Sequence, residues 1–329
     1  MIRKKNIMLF ACVLCIFSQL LTGCENNSDP VVKTGYYFDT IVTLTGYGKD
    51  ADSVLEEGLL LCSRYENLFS RTIEGSDIWN INHAKGQPVE VQEETAYLLA
   101  QAVEFAKMTE GKIDPTVTPL SELWNFTGDP PGPVPQVSQI EALLPHVSYE
   151  TIRIEGTAVR LEDPDARVDL GFIAKGYIAD QLKALFEERG LSHALINLGG
   201  NVLAVGTKPD GSSFRTGIQK PFGERSELVR IIGLNDMSLV SSGSYERYFE
   251  ADGVLYHHIL DPATGYPADT DLSGVTILSD SSMEGDALST ACFILGQKKG
   301  QDLIESLPGI EALFVTKDGS LYQTGGFPE

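Results

Sequence analysis

The run Val168-Asp-Leu-Gly-Phe-Ile-Ala-Lys-Gly176, an amphipathic stretch up to Gly190, and then His193-Ala-Leu-Ile-Asn-Leu-Gly-Gly-Asn-Val-Leu-Ala-Val205 together decide the fold. They read as a short strand at 168–170, a helix over 173–189 stopped by Gly190, and two short strands split by adjacent glycines. Further strands are expected near 214–219, 228–233, 237–241, 254–260 and 273–278, then helices near 283–295 and 299–306. A closing hairpin is expected around Lys317-Asp318-Gly319. Towards the N-terminus, amphipathic helices are expected over 52–69 and 92–110, and a β-like run over Tyr36–Thr45. Residues 127–135 hold four prolines and two glycines and make a loop. A short helix near 138–145 and a hairpin over Thr151–Leu161 complete the reading. The order is mixed and lacks clean βαβ alternation. The class that follows is α+β, a mostly antiparallel sheet with helices packed on it.

The first residues give an address. Arg3, Lys4 and Lys5 precede an apolar run from Ile7 to Leu21, and Leu21-Thr-Gly-Cys24 follows. Charge, length and order are those of a signal peptide, residues 1–23. The ending resembles a bacterial lipobox, in which the cysteine, here Cys24, carries lipid. Acyl chains hold a membrane by about 0.8 kcal/mol per buried methylene, so the expectation is an exported protein anchored on the extracytoplasmic side of the cell membrane. Residues 24–33 read as a lipidated tether and 34–329 as the folded domain.

The whole chain carries a net charge of −21. All 46 acidic residues lie beyond the signal and three of the 25 basic ones lie within it, leaving −24 after processing. So acidic a surface argues against nucleic acid as a partner. An anionic substrate would need a local cation, which points to a metal. Beyond Cys24 only Cys62 and Cys292 remain, each in a helical apolar pattern, and they read as buried thiols.

Four segments carry polar residues in suggestive places. Gly111-Lys-Ile-Asp-Pro-Thr-Val-Thr-Pro-Leu120 sits past a helix end; Asp114 precedes Pro115 and so reads as a turn or capping aspartate. Asp169 to Gly176 runs into a helix start, where N–H groups and the dipole suit phosphate, with Lys175 adding a cation; Asp169 equally suits an N-cap. Asn197-Leu-Gly-Gly-Asn201 permits either close approach to a ligand or a tight turn. Asp286 and Thr290 lie four apart on one helical face, where a carboxylate and a hydroxyl can grip a hard cation such as Mg²⁺. The bland reading of Asp286 is a first-turn acid complementing the helix dipole. His257 and His258 are adjacent in a strand, so they point to opposite faces. One of them suits a base or a phosphate contact.

Taken together, these segments are similar to those of the ApbE family of FAD:protein FMN transferases. The matches run in order through Phe38-Asp-Thr40, Phe69-Ser70 with Ser76-Asp-Ile-Trp-Asn-Ile-Asn82, Gly111–Leu120 with Trp124-Asn-Phe, Asp169–Tyr177, Asn197–Asn201, Ser242-Gly-Ser-Tyr-Glu-Arg-Tyr248, His257–Pro267 and Asp286–Thr290. The resemblance implies two subdomains with a flavin cleft between them. It implies metal contacts at Asp286, Ser289, Thr290 and the Phe172 carbonyl. It implies contacts to the flavin dinucleotide at Phe38, Lys112, Ile113, Asp114, Asp169, Lys175, Ile259 and Leu260, and catalytic roles for Asp286 and for His257 or His258. Departures are Phe172 for a small residue, Phe38-Asp39-Thr40 for Met-Gly-Thr, Ile73 for an aromatic, and Ser244 for Asp or Asn.

The reaction so implied is Mg²⁺-dependent transfer of the FMN moiety of FAD to a Ser or Thr hydroxyl of an acceptor flavoprotein, forming a phosphoester and releasing AMP. The acceptor would be a membrane redox subunit or an exported flavoprotein. Two alternatives stay open: an FAD pyrophosphatase giving FMN and AMP, and a lipoprotein that binds flavin without chemistry.

Overall fold

The structure, a computed structural model, describes residues 29–329 apart from 129 and 225. The signal peptide and Cys24 lie outside the described residues, and no described helix is long and apolar enough to cross a membrane. The first half runs β1 (Val31–Tyr37), β2 (Thr40–Gly46), α1 (Ala51–Phe69), α2 (Asp77–His83), β3 (Val89–Glu90), α3 (Glu93–Met108), α4 (Thr118–Trp124), α5 (Val137–Leu143), β4 (Ile152–Glu155) and β5 (Ala158–Leu161). It continues with α6 (Ala174–Glu188), β6 (Ala194–Leu198), β7 (Asn201–Val205), β8 (Phe214–Gln219), β9 (Leu228–Leu234), β10 (Ser238–Gly243), β11 (Tyr248–Ala251) and β12 (Val254–His257). The last elements are β13 (Leu272–Ser279), α7 (Ser282–Leu295), α8 (Gln297–Glu305), β14 (Glu311–Thr316) and β15 (Leu321–Gln323).

Eight strands form one sheet in the order β1-β2-β6-β7-β10-β13-β14-β15, every neighbouring pair antiparallel. The α+β class with a mostly antiparallel sheet is what the sequence led us to expect. Alternate residues of the inner strands face opposite layers. Leu203 and Val205 of β7, with Ala312 and Phe314 of β14, join the large core under α1, α6 and α7. Val202, Ala204 and Leu313 face the other way and meet Phe214, Ile218, Ile232 and Leu234 of the β8–β9 hairpin. With both faces covered, all five residues of β7 and all eight of β13 are buried.

A smaller body gathers round Trp124. Leu120, Trp124, Ile140 and Leu260 form its centre, ringed by Phe126, Phe249, Tyr256 and Tyr266. The Trp124 Nε1–H donates to the Gly265 carbonyl at 2.8 Å. Ile259 belongs to the main core and its neighbour Leu260 to this one, so this segment runs along the seam between the two bodies.

Three local expectations are corrected. Residues 168–170 form no strand; Arg167 makes only an isolated bridge to Val117, and the stretch is held by the Asn82 side chain and by the Asp169 N–H to the Pro115 carbonyl. The run Tyr36–Thr45 is not one strand but the β1–β2 hairpin. Its turn residues Phe38 (φ 56°) and Asp39 (φ 57°) are both left-handed, as a two-residue type I′ loop requires, and neither is the usual Asn or Gly. Residues 31–33, assigned to the tether, already belong to β1. The β6–β7 turn is glycine for two reasons. Gly199 and Gly200 both have positive φ, and a Cβ on Gly199 would meet Thr40 Oγ1 at 2.3 Å.

Candidate active site

On the helix-covered face, α6 and α7 begin against each other. The Gly176 N–H, in the first turn of α6, donates to Asp286 Oδ2 of α7 at 2.9 Å. First-turn N–H groups have no acceptor within their own helix, so a carboxylate placed there completes one. This close approach needs glycine, since a Cβ at 176 would stand 2.2 Å from the Ser282 carbonyl oxygen. Asp286 is 4% exposed. Burial raises its pKa, while the charge of Lys175 and the Gly176 N–H pull towards the ionised form. A carboxylate in that balance gains greatly from a cation.

The rest of the cluster is also oxygen. Ser289 is fully buried; its hydroxyl donates to the Asp286 main-chain carbonyl at 2.9 Å and lies 2.7 Å from the Ser242 hydroxyl of β10. Thr290 Oγ1 is 3.2 Å from that same Ser242 hydroxyl. Ser289 is thus occupied twice and braces the turn, while half-buried Thr290 is the more open hydroxyl. Phe172 stands in the bend before α6. The Gly176 N–H, which in a longer helix would bond the residue-172 carbonyl, goes to Asp286 instead. A carboxylate, a hydroxyl and a main-chain carbonyl suit a hard divalent cation and lack the nitrogen or sulfur that zinc prefers.

The flanking residues divide into open charges and structural braces. Asp169 pairs with Arg71 Nε at 2.9 Å and accepts the Gly171 N–H at 2.6 Å. Lys175 Nζ donates to the Gly171 carbonyl at 3.2 Å. Lys112 Nζ lies 3.2 Å from Asp261 Oδ2, tying the turn after α3 to the seam. Asp114 is a brace: its carboxylate accepts the Thr116 N–H and hydroxyl and the Tyr149 N–H, and burial raises its pKa. Ile113, Ile259 and Leu260 are core side chains, and the Ile259 carbonyl accepts the Ala268 N–H. The Phe38 N–H is held by Glu66 at 2.8 Å, which fixes the left-handed turn beside Gly199.

The two histidines part company. His257 is 6% exposed, its Nδ1 has no partner, and its ring meets Phe293 edge-on at 5.4 Å. Burial pushes its pKa down to about 4. His258 is half-buried, with Nδ1 3.3 Å from the Arg247 carbonyl. The protein around it, then the charges of Arg247, His257 and Lys175, push its pKa down to about 3. His258 is within electrostatic reach of Lys175, as Lys175 is of Asp286, while the His257 ring packs edge-on against Phe293 in the core. Sequence alone left that choice open.

Two surface cavities lie away from this cluster. One of about 760 Å³ is lined by Arg64, Tyr97, Tyr177, Asp180 and Met283 among others. The other, of about 300 Å³, lies by Lys220, Phe222 and Lys317. Neither is lined by the candidate metal, flavin-contact or histidine residues named from sequence. A His146–Asp163–Asp165 grouping has its ligand atoms within 4.8 Å of one another, and it too lies outside that set. Sequence reasoning missed Arg71 and Asp180 as members of the network, and gave no role to Arg247 although the matched Ser242–Tyr248 segment contains it. No local pattern marks Arg71 or Asp180, because their partners are about 100 residues away in sequence. Cys62 and Cys292 are buried free thiols as expected, and burial pushes both up to about 12.

A FAD:protein FMN transferase of Treponema pallidum is 33% identical over 84% of this chain and 81% of its own length. One from Klebsiella pneumoniae is 38% identical over 78% of this chain and 80% of its own. Among solved structures, the ApbE protein of Thermotoga maritima superposes with a TM-score of 0.83 at 33% identity, covering 90% of this chain and 97% of that one. The flavin transferase ApbE of Vibrio cholerae gives 0.81 at 28% identity, covering 90% and 96%. The ApbE family model matches residues 38–314, a span holding the oxygen cluster, both histidines and the whole seam, and the chain belongs to the ApbE family.

Proposed function

We infer that this chain transfers the FMN portion of FAD to a Ser or Thr hydroxyl of an acceptor flavoprotein and releases AMP. The observation that carries this is the oxygen cluster of Asp286 and Thr290 on α7, packed against the first turn of α6 in a chain whose relatives are FAD:protein FMN transferases. Mg²⁺ is the cation we assign to it, held by Asp286, Thr290 and the Phe172 carbonyl with Ser289 bracing from behind. Bound there, Mg²⁺ would neutralise charge on the FAD pyrophosphate and polarise it towards attack.

The chain's own residues do the rest. Lys175 and the positive end of the α6 dipole offer positive charge to phosphate oxygens. His258 donates Nδ1–H to the Arg247 carbonyl and so keeps Nε2 as a proton acceptor. It is uncharged near neutral pH because its pKa is pushed down to about 3. An anionic pyrophosphate beside it raises its affinity for a proton when one must be taken. The acceptor hydroxyl gives its proton to Nε2 as its oxygen bonds the flavin-side phosphorus. The bond from that phosphorus to the bridging oxygen breaks, and AMP departs with that oxygen. Catalysis of this kind rests on positioning and charge neutralisation, and a placed base adds roughly 10²–10⁴-fold.

Export and lipid attachment at Cys24 belong to the same proposal and rest on the sequence pattern of residues 1–24. Cys24→Ala should move the protein from the membrane fraction to the soluble one. The central test is mass spectrometry of an acceptor after incubation with FAD and Mg²⁺, with AMP followed alongside. Labelled acceptor plus acceptor-dependent AMP is the expected result. AMP without any acceptor would make the chain a pyrophosphatase, and retained FAD with no AMP would make it a binder.

A further inference from the structure

We propose that Asp180 is a positioning residue for the Asp286 site, acting as the second half of a reciprocal clamp between α6 and α7. This rests on the metal reading of Asp286 given above. Asp286 of α7 accepts the Gly176 N–H in the first turn of α6. One turn further along α6, Asp180 returns the contact to the first turn of α7. Its Oδ1 accepts the Ser282 N–H at 2.8 Å, and its Oδ2 accepts the Met283 N–H and the Ser281 hydroxyl, each at 3.0 Å. Residues 176 and 180 lie on one face of α6, so the two carboxylates sit side by side, each satisfying donors that the other's helix leaves open.

The clamp holds the turn from which Asp286 projects. Asp286 follows Met283 by three residues, about 4.5 Å of helix rise, so a shift of the 282–283 backbone carries Asp286 with it. The same turn is fixed on its other side. Ser282 Oγ donates to Asn201 Oδ1 at 2.6 Å and lies 2.9 Å from the Ser238 hydroxyl. Gly176 removes the atom that would otherwise hold the helices apart. Asp180 itself lines the 760 Å³ groove with Tyr177, Ser281 and Met283, where Asp286 is not among the lining residues. Its route to the chemistry therefore runs through α7.

The decisive variant is Asp180→Asn, which keeps the shape and puts an NH₂ where one accepting oxygen stood. The measurements are the Mg²⁺ concentration for half-maximal AMP release and the Mg²⁺-dependent thermal shift without FAD. Both midpoints should rise about tenfold, with the rate at saturating Mg²⁺ within about twofold of the parent; a tenfold rise corresponds to about 1.4 kcal/mol. A lower melting temperature with both midpoints unmoved would make Asp180 an ordinary helix cap and overturn the proposal. Should Asp180→Asn fail to fold, Ser281→Ala removes one of the three donors and keeps both main-chain bonds. Its midpoints should rise about two- to threefold, and unchanged midpoints overturn the proposal equally. A parent enzyme with no Mg²⁺ midpoint in either readout overturns the metal reading itself, and the proposal with it.

Discussion

One sheet carries two very different layers. The face under α6 and α7 buries Asp286, Ser289, Ser238, Ser282 and Asn201, joined in chains of hydroxyl and carboxylate contacts. The face under the β8–β9 hairpin buries Phe214, Ile218, Ile232, Leu234, Leu239 and Leu313, with Ser241–Thr276 as a pair between its strands. Both layers exclude water, yet only the first buries a carboxylate and a connected polar network, and buried polar groups cost stability unless satisfied. What the difference teaches is that the helix side sets a satisfied polar network inside the large core to hold charge in place, while the smaller hairpin layer is almost wholly apolar.

The sharpest way to break that contrast is Asp286→Ala. It removes the only carboxylate of the oxygen cluster together with the Gly176 contact, and acceptor labelling should fall to background while circular dichroism stays native. Labelling at the parental rate would remove Asp286 from the metal site. His258→Ala comes next, with labelling down roughly 10²–10⁴-fold if it supplies the base. Its neighbour provides the control. His257 faces Phe293 and the core, so His257→Leu should label within a few-fold of parent. The reverse ranking of the two histidines would exchange their roles.

Much of this was legible in advance, for identifiable reasons. The α6–Gly190–β6–Gly199-Gly200–β7 succession is written locally in apolar period and glycine placement, so it reads correctly. Asp286 and Thr290 share a helical face whatever the tertiary fold. The β1–β2 turn was not legible because Phe38 and Asp39 take left-handed conformations that neither residue announces. The stretch 168–170 has strand-like residues, but its hydrogen bonds go to Asn82 and Pro115, and no neighbouring strand is there to pair with it. Asp114 reads as a turn aspartate from Pro115 alone, and its two local donors on Thr116 fit that reading, whereas the Tyr149 N–H comes from 35 residues away and was not legible. The Asp180–Asp286 relation spans over 100 residues and exists only once α6 and α7 have packed.

On the hairpin side the expected effects are on stability and not on chemistry. Ile232 is 1% exposed, and Ile232→Ala should cost about 2–5 kcal/mol in urea unfolding while the Mg²⁺ midpoint stays put. A moved midpoint would mean that the two layers are coupled through the sheet. His257 gives a pH signature of the helix side. Its folded pKa, about 4, lies below the ordinary 6.5, so the native state binds fewer protons than the unfolded chain between those values. Stability is therefore full above pH 6.5 and lost as pH falls towards 4, by about 3 kcal/mol at 1.36 kcal/mol per pKa unit. In His257→Leu the unfolding free energy should fall less steeply across that window. An unchanged slope would show that His257 is not the group responsible.

The finest test uses two adjacent serines of β10. Ser241 points to the hairpin side and bonds Thr276 at 2.8 Å; Ser242 points to the helix side and bonds Ser289 and Thr290. Each alanine substitution removes hydroxyl contacts worth roughly 0.5–1.5 kcal/mol of stability apiece, so melting alone should barely separate them. Metal binding should. Without Ser242 the Thr290 hydroxyl loses its anchor, and the Mg²⁺ midpoint of Ser242→Ala should rise about threefold. Ser241→Ala should leave it unchanged, because its hydroxyl meets only Thr276 on the opposite face. Equal midpoints in the two variants would mean that Thr290 is oriented by α7 alone, and that the sheet carries the site without tuning it.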